Sequence, residues 1–422
     1  MMPRSKMHRG VLLRLYLFIA HLVPMIAPSV LRRRLRKGKE HPKRWPEKQG
    51  RALAARPEGT LIWLHAVGLG EVMSLRGLIA RLTALQPDVQ VLVTSTTAAS
   101  AEVFVRNLPP RTLHQFLPLD APLYRKRFLD HFKPNLCIWV EQDIWPGFVH
   151  DLHRDGVPQA MVATRMNAES FRLHQKAAKL YRDLYGVMAM ITAQDDASAT
   201  HLRRLGAGPS VSGSLKPAAP ALACDGAVLE RLRDALQNRW VWAVAPSHPD
   251  DEQIAIAAHD IVTQADPTAL LIIAPRYPER RDEITAQIGG NAPIRSRDEI
   301  PSQDDRVWLC DTFGEMGLIY RLARAILVGG TFGPVAGHNP WEAAALDTAI
   351  FHGPQTANFA HDFEVLDSAG GALKVDDAEA LATALMHHDQ PELAQNARDC
   401  IAKASAQTDK LAQDLVALLR PA

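Results

Sequence analysis

Continuous apolar segments that alternate with helical segments most constrain the fold of this chain. From Thr60 onward, stretches such as TLIWLHAV and VQVLVTSTT are apolar and β-branched, and segments with helical spacing of their apolar residues follow them. A strand that is apolar along its whole length must be buried on both faces, as in a parallel sheet covered by helices. We therefore predict an α/β fold with doubly wound parallel sheets.

The alternation is interrupted once and then starts again. The interruption, SLKPAAPALACDGA, is rich in Pro and Ala and has little periodicity, and strands such as WVWAVAPS, ALLIIAPR and AILVGGTF are predicted after it. A chain of 422 residues is long enough for two or three domains. We predict two Rossmann-like domains that face a shared cleft. The predicted boundaries are 1–37 for an N-terminal segment, 38–214 for the first domain, 215–227 for a linker, and 228–422 for the second domain with a C-terminal helix.

The N-terminal end is both apolar and basic. Residues 1–50 hold 13 Lys and Arg against 2 Asp and Glu, although the whole chain has a net charge of only +2. Residues 15–31 are mostly apolar but slightly short of the roughly 20 residues that a span requires, and Pro24 would kink a helix. The basic residues that follow oppose export. We predict an uncleaved segment that spans or lies on a membrane and meets anionic lipids, the alternative being a helix packed on the body of the protein.

Residues 51–422 contain more Asp and Glu than Lys and Arg, which argues against a general nucleic-acid binder. The four cysteines are far apart and form no CxxC pair, so neither a disulfide framework nor a zinc site is predicted. No G-x-G-x-x-G or Walker motif is present, which disfavours dehydrogenases and P-loop NTPases.

Carboxylates follow two predicted strands of the first half. HAVGLGEV places Glu71 at the start of a helix, where a carboxylate can act as a general base if a substrate hydroxyl comes within about 3 Å. The alternative is that Glu71 only complements the helix dipole. VEQDIWPG places Glu141 and Asp143 at another strand end, where they could bind a hydroxyl-rich acceptor or orient a base. Alternatively, Asp143 caps the helix that starts near Ile144.

The second half contains a Gly-rich turn between a predicted strand and a helix, VGGTFGPVAGHNPWEAAAL. Glycine lets backbone N–H groups approach a ligand closely. Asn339 is a good N-cap and Pro340 suits the first helical position, so the helix N-terminus could bind a phosphate. Glu342 would then accept hydrogen bonds from a sugar diol. The alternative is a turn at the edge of a sheet with no ligand.

A second group of polar residues follows other strands of this half. Ser247, His248 and Arg276 would form a cationic, hydrogen-bonding corner for a phosphate or a carboxylate. DTFGEMG provides another turn in which Gly precedes Glu. No cluster has the spacing of metal ligands, so no metal is predicted.

The motifs HAVGLGEV, LPLDAP, WVEQDIWP, APSHPDDE, APRYPER, DTFGEMGLIY and HGPQTANF, in this order, resemble those of the 3-deoxy-D-manno-oct-2-ulosonic acid (Kdo) transferase family. The resemblance covers nearly the whole chain. It implies a GT-B glycosyltransferase fold and an N-terminal segment on the cytoplasmic face of the inner membrane of Gram-negative bacteria. It also implies inverting transfer of Kdo from CMP-Kdo to a lipid A precursor, lipid IVA, in lipopolysaccharide synthesis, without metal or cofactor.

The resemblance also assigns roles to residues. Glu71 is implied as the catalytic base, and the acceptor side is predicted to contain Glu141, Asp143, Arg165 and Lys216. Together with the residues singled out above, the predicted donor-binding set is Ser247, His248, Pro275, Arg276, Phe313, Gly314, Glu315, Thr331, Asn339, Pro340, Trp341 and Glu342.

The chain departs from the family pattern mostly in its first half, where the acceptor would bind. The alternatives that follow are a divergent CMP-sugar transferase with another acceptor, a UDP-sugar transferase, and a non-catalytic, membrane-bound CMP-sugar binding protein. The departures are Gly68 in place of Ser, Asp143 in place of Glu, Asn167 in place of Ser, Ser214 in place of Asn in the motif that ends at Lys216, Tyr277 in place of His, and Ala336 in place of Gly.

Overall fold

A computed structural model describes residues 7–237, 239–290, 292–387 and 390–419. The chain divides into two compact units, one of residues 1–219 with 404–422 and one of residues 220–403. The division at residue 219 falls within the predicted linker, 215–227. Residues 1–6 of the predicted N-terminal segment and 420–422 of the predicted second domain lie outside the described residues.

The first unit is built on a parallel sheet with the strand order β3-β2-β1-β4-β5-β6-β7. Strands β1 and β4 are buried along their whole length, in agreement with their continuous apolar sequence. The short edge strand β7 has no apolar run and was not predicted. The strands are β1 Leu61–His65, β2 Gln90–Ser95, β3 Thr112–Phe116, β4 Leu136–Val140, β5 Gln159–Thr164, β6 Met190–Ala193 and β7 Ser210–Val211.

Helices cover both faces of this sheet, and two apolar clusters fill the space between them. Trp63 of β1 and Trp139 of β4 are fully buried on one face and meet edge to face, with ring centroids 5.4 Å apart. The helices are α1 Val11–Ile19, α2 Val23–Arg36, α3 Leu69–Leu85, α4 Ala98–Arg106, α5 Pro122–Phe132, α6 Pro146–Arg154, α7 Ala168–Gln175, α8 Ala178–Tyr185 and α9 Asp196–Arg204.

The second unit repeats this architecture with the order β10-β9-β8-β11-β12-β13, again parallel. The predicted α/β class with doubly wound sheets is confirmed in both units. The strands are β8 Val241–Ser247, β9 Leu270–Pro275, β10 Val307–Leu309, β11 Ala325–Val328, β12 Ala349–His352 and β13 Leu373–Lys374. The helices are α10 Gly226–Ala235, α11 Pro249–Ala265, α12 Arg281–Gln287, α13 Met316–Leu322, α14 Trp341–Ala344, α15 Ala360–Ser368, α16 Ala378–His387 and α17 Gln390–Val416.

The last helix differs from the predicted domain assignment. We expected all of it to belong to the second domain, but its C-terminal part, from Ala404, belongs to the first unit. Leu411, Ala412 and Leu415 are buried in an apolar cluster of that unit. The helix has apolar residues for both units, and sequence periodicity does not reveal which core each turn enters.

The N-terminal apolar stretch packs along the surface of the first unit. The helical stretch Val11–Arg36 is long and apolar enough to cross a membrane, and its most apolar window of 18 residues has a mean hydropathy of 1.8. Residues 20–22 form a 3-10 turn between α1 and α2, just before Pro24, because proline has no N–H for the helical ladder. Leu13 is buried in the core of the unit, and the Tyr16 hydroxyl donates to Asp120 Oδ2 at 2.7 Å.

Candidate active site

Two carboxylates of the first unit lie where its strand order reverses. Strands β2 and β5 lie on opposite sides of the β1–β4 pair, and open α/β sheets bind ligands at the carboxyl ends of the strands at such a point. Glu71 lies in the first turn of α3, directly after β1, and Glu141 directly follows β4. The predicted base and a predicted acceptor-side residue therefore lie at the same end of adjacent strands.

The loop after β1 orients the Glu71 carboxylate. The backbone N–H of Val67 donates to Oε2 at 2.9 Å. Gly68 lies beside the same carboxylate, since a Cβ at this position would be 3.2 Å from Oε1. That contact is tighter than most, so the absence of a side chain at Gly68 leaves room around the carboxylate.

Glu141 and Asp143 experience the charge of Glu71. Burial, followed by the charge of Glu71, raises the pKa of Glu141 to about 7, although Lys216 and Arg165 act in the opposite direction. Burial and Glu71 likewise raise the pKa of Asp143 to about 6. All five predicted first-unit residues thus interact electrostatically in one site. Glu141 is partly protonated at neutral pH, which reduces the negative charge beside Glu71.

Neighbouring residues that the sequence did not single out hold this site in place. Glu141 adopts a positive φ of 60°, and its Oε1 is 3.4 Å from Nε2 of Gln194. His65, at the end of β1, is completely buried; its Nε2 accepts the Trp145 indole N–H at 3.2 Å, and its Nδ1 is 2.8 Å from Thr94 Oγ1. Burial lowers the pKa of His65 to about 3, so it is a neutral structural residue. In the sequence, the only indication of this structural role was the position of His65 shortly before a turn in which Gly precedes Glu.

Replacing Glu141 by glutamine should flatten the dependence of stability on pH. The pKa of Glu141 is raised in the folded state, so its contribution to stability is complete below the ordinary pKa near 4.5 and is lost as the pH rises through about 7. The free energy of unfolding of the wild type should fall over this range by up to about 3 kcal/mol more than that of Glu141→Gln. Urea unfolding at several pH values measures this, with the exposed Glu169→Gln as control. Equal slopes for wild type and Glu141→Gln would contradict the raised pKa.

The second unit has its own reversal point, between β8 and β11. Gly329, just after β11, lies against the backbone of Pro246. A Cβ at Gly329 would be 1.8 Å from the carbonyl oxygen of Pro246. Only glycine permits this approach. Part of the Gly-rich turn is therefore required by the packing of two strands.

The carboxylate of Asp251, which lies in the first turn of α11, binds backbone N–H groups of the Gly-rich turn after β11. It accepts hydrogen bonds from the backbone N–H groups of Gly330 at 2.6 Å and of Thr331 and Phe332 at 3.1 Å each, and also from His248 at 3.0 Å. We expected backbone N–H groups of this turn to approach a ligand, but those of Gly330, Thr331 and Phe332 are bound by Asp251 instead. The sequence signal was a carboxylate at the third position of a helix, which is a capping signature. The contact between Asp251 and the turn after β11 depends on the tertiary structure and has no local signal in the sequence.

The helix after the Gly-rich turn is shorter than expected. It comprises only Trp341–Ala344, with Pro340 rather than Asn339 as the N-cap residue. The Asn339 side chain still caps it, since its Oδ1 accepts the Trp341 N–H at 3.2 Å, and its Nδ2 is 3.4 Å from Glu342 Oε1. Burial raises the pKa of Glu342. One turn of helix has little dipole, so side chains must supply most of the positive charge for a phosphate.

Three residues of the predicted donor set are buried and act as supports. Ser247 is fully buried and donates to Glu252 Oε1 at 2.8 Å, while Arg280 binds the same carboxylate with two N–H groups. The hydroxyl of the fully buried Thr331 donates to Val328 O and accepts from Gly353 N. The Trp341 indole donates to Asp362 at 2.7 Å. Their side-chain polar atoms thus bond to protein groups, whereas we predicted that these residues contact the donor.

Two other members of the predicted set are exposed, and a pair of stacked histidines includes a third member, His248. Arg276 and Phe313 are exposed, the latter by 73%, and they follow the neighbouring strands β9 and β10. His248 and His338 stack at 5.1 Å, with their Nε2 atoms 2.8 Å apart, so one ring donates to the other. Burial, with the charges of His248 and Arg276, lowers the pKa of His338 to about 4. Arg276 is therefore the charged member of this group.

The remaining predicted donor residues lie at the same end of the sheet. Pro275 ends β9 and is buried, and Gly314 adopts a positive φ of 85° between Phe313 and Glu315. Glu315 accepts a hydrogen bond from Arg295 at 2.7 Å and another from Thr312. The positions of these residues after β9 and β10 agree with a ligand site at the carboxyl ends of the strands.

Comparisons with known proteins identify the relatives of this chain. Residues 43–219 match the family model of 3-deoxy-D-manno-octulosonic-acid transferase. A probable mitochondrial 3-deoxy-D-manno-octulosonic acid transferase of Arabidopsis thaliana is 32% identical over 84% of this chain and 83% of its own length. The transferase of Bordetella pertussis is 31% identical over 85% of this chain and 86% of its own.

A solved structure supports the fold class. UDP-GlcNAc 2-epimerase from Neisseria meningitidis matches 85% of this chain and 99% of its own with a TM-score of 0.57, at only 12% identity. This likeness agrees with the GT-B type of fold and shows the fold alone. On the sequence relationships, which extend over most of both chains, the protein belongs to the 3-deoxy-D-manno-octulosonic acid transferase family of glycosyltransferases.

Proposed function

We propose that this glycosyltransferase transfers Kdo from CMP-Kdo to a lipid A precursor, lipid IVA, in lipopolysaccharide synthesis, with Glu71 as the catalytic base. The observation that carries the proposal is the Glu71 carboxylate, oriented by the Val67 N–H at the reversal point of the first sheet. The relatives at about 30% identity are named as transferases of this sugar. An oriented carboxylate at a ligand-binding edge is the group that such a transfer needs.

The acceptor hydroxyl would lose its proton to Glu71 as its oxygen bonds to the anomeric carbon of Kdo. The bond between that carbon and the phosphate oxygen breaks, and CMP leaves with the electron pair, so attack from the opposite face inverts the centre. The partly protonated Glu141 lowers the repulsion of an anionic acceptor. Arg165 and Lys216, whose charges act on Glu141, would attract such an acceptor.

Residues of the second unit would bind the CMP part of the donor. Arg276 would pair with the phosphate, whose negative charge grows as CMP departs. The exposed ring of Phe313 offers an apolar face for the nucleotide. We propose that Arg276 meets this charge without a metal ion or other cofactor. The buried Ser247 and Thr331 would hold the loops that carry these groups.

We propose that the N-terminal helices attach the enzyme to the cytoplasmic face of the inner membrane by lying in its surface. Tyr16 and Leu13 fix one side of this stretch to the first unit, which supports an in-plane arrangement. The opposite side is apolar and exposed, with Phe18 at 71% and Met25 at 78%. The basic residues from Arg32 to Lys43 would lie among anionic headgroups.

Introducing charges on this exposed face should release the protein from membranes. Phe18→Asp with Met25→Asp should weaken binding to anionic vesicles more than tenfold, because each apolar side chain contributes roughly 1.5–3 kcal/mol when it leaves water. Vesicle flotation measures the bound fraction. Leu173→Asp, at an exposed apolar residue of α7, is the control and should bind like the wild type. Unchanged flotation of the double variant would contradict the in-plane arrangement.

The proposed function is tested by a mass-spectrometric transfer assay with the full-length protein in detergent. A system that generates CMP-Kdo and purified lipid IVA should produce lipid shifted by the mass of one or more Kdo units. If CMP is released without a lipid IVA product, and a product forms when another lipid is supplied, that other lipid is the acceptor. If transfer occurs only from a UDP-sugar, the donor is a UDP-sugar and not CMP-Kdo. CMP binding without any turnover would indicate a binding protein.

A further inference from the structure

A cavity in the first unit lies beside the N-terminal helix, apart from the residues assigned to catalysis. Its volume is about 880 Å³, and it is bounded by α5, α6 and the stretch from Leu17 to His21. Six residues of the lining are apolar and could accept the first methylenes of acyl chains. These residues, called the apolar wall, are Leu17, Pro122, Leu129, Pro134, Leu152 and Val157.

The rest of the lining carries charges of both signs in nearly equal number. Lys126 pairs with Asp130 at 2.5 Å, and Arg154 pairs with Asp155 at 2.9 Å, all at exposed positions. Lys133 is exposed and has no ion pair within the part of the chain that the structure describes. A lining of this kind suits a ligand that carries both a positive and a negative group, rather than a simple anion.

His150, which also lines the cavity, has an unsatisfied nitrogen. Asp151 accepts hydrogen bonds from Arg125 at 2.7 Å and Arg154 at 3.2 Å, so it is a carboxylate and can only accept. His150 Nδ1, 3.0 Å from Asp151 Oδ1, must therefore donate to it. Nε2 then carries a lone pair, and it is buried without a hydrogen-bond partner among the described residues. This nitrogen is therefore left to accept a hydrogen bond from a group bound in the cavity.

We propose that the cavity binds a membrane glycerophospholipid whose headgroup contains a phosphate and a primary ammonium. The ammonium would donate to His150 Nε2, the phosphate would pair with Lys133, and the acyl chains would follow the apolar wall. The proposed in-plane attachment would give the lipid a direct path from the bilayer, because Leu17 and His21 belong to the stretch whose outer side carries the exposed Phe18 and Leu22. The proposal goes beyond the proposed function and does not depend on the transfer reaction.

The test measures binding of three phospholipids to the full-length protein in a non-ionic detergent by native mass spectrometry. Phosphatidylethanolamine should bind about tenfold more tightly than phosphatidylcholine, because a trimethylammonium has no N–H to donate. Lys133→Glu should lower the affinity for phosphatidylethanolamine about tenfold. Lys403→Glu, the same charge change at an exposed residue outside the cavity, should have no effect. His150→Phe should abolish the preference over phosphatidylcholine and leave phosphatidylglycerol binding unchanged.

Three results would overturn the proposal. They are equal binding of phosphatidylethanolamine and phosphatidylcholine, wild-type affinity of Lys133→Glu, and one-for-one displacement of phosphatidylethanolamine by lipid IVA. The last would assign the cavity to the acceptor. If thermal unfolding shows that His150→Phe does not fold, the Lys133→Glu variant and the comparison of lipids still test the proposal. None of these readouts requires transfer, so a failure here is distinguishable from a failure of the proposed function.

Discussion

Glu71→Gln is expected to lower the rate of Kdo transfer by at least about 10²-fold, which is the usual contribution of a general base. Glutamine keeps the size of the side chain, and its amide oxygen can still accept the Val67 N–H that orients Glu71 at 2.9 Å. It cannot take a proton from the acceptor hydroxyl at neutral pH. The proposed CMP contacts all lie in the second unit, so CMP affinity should stay within about twofold. Initial rates in the transfer assay and calorimetric titration with CMP measure the two effects.

Glu102→Gln is the matched control for this substitution. Glu102 is an exposed glutamate of α4 in the same unit, and its variant should transfer Kdo at the wild-type rate. A Glu71→Gln enzyme with wild-type rates would refute the base assignment and leave Glu141, the other carboxylate of the site, as the next candidate. Loss of both transfer and CMP binding would instead indicate a folding defect, which thermal unfolding would reveal.

Asp251→Ala is expected to destabilise the second unit and to abolish donor binding together. The Asp251 carboxylate is fully buried and accepts four backbone N–H groups, three of them from Gly330 to Phe332. Alanine would leave these donors without a partner, at a cost of about 3 kcal/mol or more. The melting temperature of a unit of this size should fall by roughly 6–12 °C. The turn would lose the conformation that carries His338 and Asn339, so CMP binding should be lost.

Asp250→Ala is a demanding control, because Asp250 is the preceding residue of α11 but is exposed. Its effect on the melting temperature should be small, since surface substitutions usually change stability by less than about 0.5 kcal/mol. Differential scanning calorimetry and CMP titration of both variants provide the comparison. An Asp251→Ala protein that melts and binds CMP like the wild type would show that the turn keeps its shape without the carboxylate.

The predicted strands and the positions of Glu71, Glu141 and Arg276 were accessible from the sequence for a physical reason. A strand buried on both faces is written as an unbroken apolar run, and the parallel arrangement brings the ends of such runs to one edge of the sheet. Polar residues directly after a run must then lie at that edge. The edge strand β7 was missed because its two residues are exposed and carry no apolar pattern.

Other features depend on contacts between residues that are distant in the chain. Asp251 and Gly330 are 79 positions apart, and only the adjacency of β8 and β11 brings the carboxylate to the Gly-rich turn. The burial of Thr331 has the same origin. The sequence by itself determined the two doubly wound units and the ends of strands where a site can form, because burial on two faces leaves a local pattern. The tertiary structure decided which polar groups remain available to a ligand and which core the last helix enters, because hydrogen-bond partners and core neighbours come from packing between distant segments.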